Sequence, residues 1–212
     1  HFALGTLYRQ TGALKNAVFH LQKVLNLKKN HLLTHLEIGV IYYNLGQLEN
    51  ALHHTEQAIL LSPNSGNIHN NKALILHSMG HLELAKTTYE KSIELSPQFA
   101  DTYNNFGNLL KDMDQIFESI RVFNFALSLK PNEPLTLCNL ANSLTKCGRL
   151  KLALKTYKSA LKISPRDSTI RSNYLFALNF IPNITSLDLY NEHKKFQSYV
   201  KIEHINQSFK HK

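Results

Sequence analysis

Apolar positions in this chain fall on one helical face at a time. Leu4, Gly5 and Tyr8 lie on a first stripe that ends at Gly12, and Ala17, Leu21, Val24 and Leu25 form a second. Spacings of three and four residues put each set on one side of an α-helix. The link between the stripes is short, so the two helices return antiparallel as a hairpin. The pattern is then rewritten four times. Ile38, Gly39 and Tyr42 lead to Gly46, followed by Ala51 and Ala58. Ala73 and Leu76 lead to Gly80, followed by Ala85 and Tyr89. Tyr103, Phe106, Gly107 and Leu110 lead to Asp114, followed by Ser119, Phe123 and Ala126. Leu140, Ala141 and Leu144 lead to Gly148, followed by Ala153, Tyr157 and Ala160.

The step between copies is 34 residues, kept by Pro63, Pro97, Pro131 and Pro165 and by the small residues Gly5, Gly39, Ala73, Gly107 and Ala141. Each proline follows a second helix, because the residue before a proline is driven out of helical backbone. The small residues, with Ala17 facing Gly5, let the two helices approach closely. Three positions depart from the pattern. Thr55 stands where a large apolar side chain would fill the gap between the helices, which is expected to weaken the second hairpin slightly. Asp114 has to make a turn that other hairpins make with glycine, which Asp tolerates better than most residues. Ser119 replaces alanine and is still small enough to pack.

A 34-residue period of this kind resembles the tetratricopeptide repeat (TPR), which reads W-x2-L-G-x2-Y, then A-x3-F, then P. The Trp position is held here by His1, His35, His69, Tyr103 and Leu137. The resemblance covers residues 1–167. It implies an all-α fold, a right-handed α-α superhelix (TPR solenoid) of five repeats at 1–31, 32–65, 66–99, 100–133 and 134–167, the first truncated. Asn173, Leu175 and Leu178 continue the step into a terminal capping helix, 168–181, and Pro182 then stops it. Residues 182–212 are expected to hold one further helix, about 186–203, capped by Thr185 or Ser186, and a polar tail. Its Leu189, Phe196 and Val200 form an apolar stripe with no partner in the repeats.

Composition limits the function classes. The chain has 212 residues, 43% of them hydrophobic, enough for a packed core. No apolar run approaches the ~18 residues of a membrane span. The chain opens on His1 with helical pattern already running at Phe2, and we read it as a piece of a longer protein. Cys138 and Cys147, nine residues apart on one helix, do not pair easily, and no Cys/His cluster has zinc spacing. Reduced thiols and a cytoplasmic location are expected. The net charge of +9 is concentrated at one end: residues 150–212 carry 11 Lys and Arg against four Asp and Glu. Lys151, Lys155, Lys158 and Lys162 share one helix side. Such an end is either a solvated face or an attractor for phosphate, anionic lipid or an acidic domain. No basic motif interleaved with aromatics is present, so no nucleic-acid partner is expected.

No nucleophile elbow, glycine-rich phosphate loop or paired carboxylates occur, so we assign no catalytic residue and no cofactor. His53 and His54 point about 100° apart and cannot chelate together. His31 and His35 are spaced to share a metal but lack a third ligand, and we assign no metal site. The distinctive signal is asparagine. Asn71, Asn105, Asn139 and Asn173 recur at the 34-residue step, with Asn108 and Asn142 one turn on. Asparagine is a mediocre helix former, so helix propensity does not explain the column. On a first helix these positions turn away from the apolar stripe, toward a groove. Their carboxamides can donate to and accept from the backbone of an extended peptide. Copying of the residue by repeat duplication is the competing explanation. Ala3 and Glu37 hold the position in the first two units.

A second resemblance lies at the end. The stretch from Arg171 to Pro182, with Ser172, Asn173, Leu175, Phe176, Leu178 and Asn179 matching and Tyr174 replacing a leucine, is followed by Asp188 to Phe196 with the Glu192–His193 pair. This resembles the junction between repeats and catalytic domain in TPR glycosyltransferases of the protein O-GlcNAc transferase and SPINDLY type. It implies a substrate-recruiting array that binds polypeptide clients, with a transferase domain following residue 212 and a packing role for Glu192 and His193. The alternative is a stand-alone TPR scaffold that assembles a multiprotein complex. Dimerisation through the convex surface is compatible with either.

Overall fold

The computed structural model describes residues 1–195. They form eleven helices: α1 Phe2–Gln10, α2 Leu14–Leu27, α3 Leu32–Asn44, α4 Leu48–Leu61, α5 Gly66–Ser78, α6 Leu82–Leu95, α7 Ala100–Asp112, α8 Ile116–Leu129, α9 Pro134–Lys146, α10 Leu150–Ile163 and α11 Ser168–Leu178. Residues 186–195 are also helical, and no strand occurs among the described residues. The chain divides into two compact units, His1–Leu109 and Leu110–Lys212.

In the first unit α1 packs on α2, α3 on α4 and α5 on α6, with α2 against α3 and α4 against α5. Ala17, Leu21, Leu25, Ile38 and Ile41 form one core cluster there. The close approach expected at Gly5 is real: a Cβ on it would lie 2.6 Å from Leu21 Cγ. A second close approach, at Gly66 against Ser96, has no glycine counterpart in the 34-residue pattern; a Cβ there would collide with the Ser96 side chain. In the second unit α9 packs on α8 and α10, and α11 covers α10 and touches α9. Phe123, Leu144, Tyr157, Ile170, Tyr174 and Leu178 belong to its core. Ser119 is fully buried, with its Oγ 2.9 Å from Ser143 Oγ.

The turns inside the hairpins require a left-handed residue. Gly12, Gly46, Gly80 and Gly148 supply it, and Asp114 takes φ 60° in the glycine's place. The next position in this series is Pro182, whose ring holds φ near −65°. The left-handed residue there is Asn183, at φ 65°, one position late. That shift ends the repeat. Thr185 then caps the following helix: its Oγ1 accepts from Asp188 N at 3.1 Å, and Asp188 Oδ2 accepts from Thr185 N at 3.2 Å.

Four residues at the Trp register, His35, His69, Tyr103 and, one step beyond Leu137, Arg171, share a role that the spacing did not disclose. His35 Nε2 bonds Lys29 O at 2.9 Å, His69 Nε2 bonds Pro63 O at 2.8 Å, Tyr103 OH donates to Pro97 O at 2.9 Å and Arg171 donates to Pro165 O at 2.8 Å. Each reaches back six residues to a turn carbonyl beyond the preceding helix. Such carbonyls have no intrahelical partner. Leu137, at the same register, has no donor.

The apolar stripe assigned to Leu189, Phe196 and Val200 needs correction. Leu189 and Ile184 pack against the second unit's core, so Leu189 is not without a partner. Phe196, Val200 and the expected helix end near 203 lie outside the described residues.

Candidate functional site

The asparagines sit where the step placed them, on first helices. In the first unit Asn71 is on α5, with Asn105 and Asn108 on α7; in the second Asn139 and Asn142 are on α9 and Asn173 on α11. All six are half-buried. Asn105 Nδ2 donates to Asn70 Oδ1 at 3.1 Å, and Asn173 Nδ2 donates to Cys138 Sγ at 3.4 Å. Both acceptors lie 35 residues earlier, on the previous first helix. One N–H thus fixes the carboxamide plane; Asn105 Oδ1 also takes Asn104 Nδ2 at 3.5 Å, and each amide keeps a second N–H and a further acceptor lone pair. Asn71 has Leu36 at that offset, which carries no acceptor; its Oδ1 instead takes Asn70 Nδ2 at 3.4 Å.

Asn142 differs. Tyr157 OH donates to its Oδ1, and its Nδ2 approaches Cys138 Sγ at 4.0 Å. Its amide is therefore engaged with the core. Burial pushes the Tyr157 hydroxyl up to about 12, so it stays a donor. Burial also raises the Cys138 thiol, against the hydrogen bond from Asn173. The supporting residues Asn70 and Cys138 were missed by the sequence reading. Their signal was a second column at the same step, Asn70, Asn104 and Cys138, adjacent to the first.

The underfilled second hairpin is visible as a recess of about 250 Å³ between α3, α4 and α5. Leu36, Val40, Leu74 and Ile75 line it, with Thr55, Gly39 and Asn71. Thr55 is buried, and its hydroxyl donates to Ala51 O at 2.8 Å. Leu21, Tyr89, Phe123 and Tyr157 fill the equivalent place in other hairpins, each at most 1% exposed. The recess therefore exists because position 55 is short.

The histidines pair differently from the spacing considered for them. His31 caps α3, accepting from Thr34 N at 3.3 Å. His35 meets His54, Nδ1 to Nδ1, at 3.1 Å. Since Lys29 O can only accept, His35 Nε2 carries the hydrogen and His54 Nδ1 donates to His35 Nδ1. No group of three metal-ligating side chains occurs among the described residues. None of their helices is long and apolar enough to cross a membrane.

Comparison with known proteins agrees with this architecture. Tetratricopeptide-repeat profiles match residues 1–31, 33–65, 66–99, 88–121 and 135–167. No curated protein matches the chain. Among solved structures, PilW, described as a widely conserved type IV pilus biogenesis factor, is 17% identical with a TM-score of 0.84, covering 93% of this chain and 90% of its own. TTC0263, a thermophilic TPR protein of Thermus thermophilus, is 20% identical with a TM-score of 0.71, covering 84% and 97%. YrrB, described as a TPR protein with an unusual peptide-binding site, is 16% identical with a TM-score of 0.62, covering 84% and 91%. Likeness at such identities shows the fold alone. The glycosyltransferase resemblance of residues 171–193 draws no support from these matches. The all-α, TPR-superhelix class of fold is shown, and the chain belongs to the tetratricopeptide-repeat family.

Proposed function

We propose that this chain is a polypeptide-binding scaffold whose first helices hold the backbone of extended client segments. The observation that carries this reading is the set of half-buried carboxamides at one register. Asn105 and Asn173 are each oriented by a hydrogen bond to the preceding first helix. A pre-oriented amide loses little freedom on binding, and backbone groups are common to all peptides, so the site favours breadth over sequence selectivity. Asn71 stands at the rim of the Thr55 recess, which takes an apolar side chain of the same client. YrrB, which shares the fold, is described as having an unusual peptide-binding site. An array recruiting substrates to a transferase domain is the second reading. It rests on the resemblance of residues 171–193 alone, and transfer of a sugar to a bound client by the protein would be needed to support it.

The test is replacement of Asn71, Asn105, Asn139 and Asn173 by alanine. Affinity for peptides selected from a displayed random library falls at least about tenfold in calorimetric titration, while the helical circular dichroism is kept. Unchanged affinity removes the asparagines from the binding role.

A further inference from the structure

The second unit carries a charged surface that the peptide-binding reading does not use. Helix α10 has four lysines, Lys151, Lys155, Lys158 and Lys162, and no Asp or Glu. All four are exposed, on the side away from the buried Ala153, Tyr157 and Ala160. At 1.5 Å per residue they form a stripe about 16 Å long. They border one recess of about 540 Å³ whose apolar lining is Leu154 and Ile181. Ion pairs join Lys195 to Glu192 and Lys146 to Asp114 nearby, but none involves these four among the described residues. Lys158 Nζ lies 5.9 Å from the centroid of the Tyr174 ring, which orients one charge without neutralising it.

Four like charges along one helix face repel one another, and an anionic partner relieves that repulsion. The recess between them chooses among anions. The sugar–phosphate backbone of a nucleic acid is polar and is a poor match for a space lined by Leu154 and Ile181. The stripe also lacks a stacking platform, because Tyr157 and Tyr174 are 1% and 3% exposed. A membrane headgroup layer is polar too and offers no apolar side chain to Leu154 and Ile181.

We propose that the α10 lysine stripe is a docking surface for an acidic polypeptide segment. Its carboxylates pair with Lys151, Lys155, Lys158 and Lys162, and one apolar residue between them enters the recess at Ile181. The site is separate from the asparagines of α9 and α11 and stands whether or not those bind backbone.

The probe is a fluorescein-labelled peptide that alternates glutamate pairs with leucine, with a glutamine-for-glutamate version as control. Anisotropy shows binding of the acidic peptide that weakens as salt is raised. The control binds at least about tenfold less well. The double variant Lys155→Glu, Lys158→Glu, at exposed positions that keep the fold, loses about tenfold or more, and Ile181→Ser loses severalfold at unchanged salt dependence. Equal binding of the control, or an unaffected double variant, overturns the proposal. Tighter binding to phosphatidylserine vesicles or to single-stranded oligothymidylate also overturns it, and reassigns the stripe to a lipid surface or a nucleic acid.

Discussion

Single residues in this repeat are tuned by what stands at the same register in other copies. Tyr89 and Tyr157 are equivalent, both buried, yet only one is satisfied. Tyr157 OH reaches Asn142, whereas Tyr89 OH is a buried hydroxyl without a hydrogen-bond partner. Leaving a buried polar group unpaired costs about 1–3 kcal/mol. Tyr89→Phe, which installs the residue of register position Phe123, therefore stabilises the protein by about 1 kcal/mol. Tyr157→Phe destabilises it by about 1 kcal/mol, because it orphans the amide oxygen of Asn142. Urea titrations of the two variants check the opposite signs. The His35–His54 pair gives a pH dependence. Burial, then the neighbouring His35 and His53, lower the His54 pKa from 6.5 to about 4. The unfolded chain thus takes up the proton first, and stability present above pH 6.5 is lost as pH falls toward 4. His54 is only partly buried, so screening reduces the effect to about 1 kcal/mol. In His54→Thr, which copies register positions Thr88 and Thr156, that part of the slope between pH 7 and pH 4.5 disappears.

At the scale of the element, the second hairpin shows what a short residue does to a helix pair. Gly5 faces Leu21 and Gly39 faces Thr55 at the same register. Leucine in the first pair leaves no space, and threonine in the second opens the 250 Å³ recess. Thr55→Leu should restore the first pair's packing and raise stability by about 1 kcal/mol. It should also weaken binding of peptides with an apolar anchor, in the titration used for the asparagine variants. Stronger folding with unchanged binding would take the recess out of the site. The underfilling was legible in the sequence, because Thr55 breaks a column of large side chains. The recess was not, since its shape depends on how far α5 closes over α3 and α4. The register of the asparagines was equally legible, and their partners were not. Asn105 to Asn70 and Asn173 to Cys138 are contacts between successive first helices, made by residues 35 apart.

For the molecule, each helix pair touches mainly its neighbours, so stability is close to a sum of local terms. Leu21→Ala, which empties the core of the first hairpin, costs about 3 kcal/mol. Hydrogen exchange should show lost protection around α1 to α3, while amides around Cys138, Tyr157 and Leu178 keep theirs. Loss of protection in both sets would show a single cooperative block. The 34-residue step by itself determined the helix pairs, the turn residues and the family, because period and small-residue placement act through local backbone and nearest-neighbour packing. It also showed where the repeat stops, since Pro182 cannot take the left-handed turn. Tertiary structure alone decided which polar side chains are used up in the fold: the backward bonds of His35, His69, Tyr103 and Arg171, the inward Asn142, and the packed Leu189. Those outcomes depend on which groups meet across helices, and a spacing along the chain specifies a face but not the atom waiting opposite it.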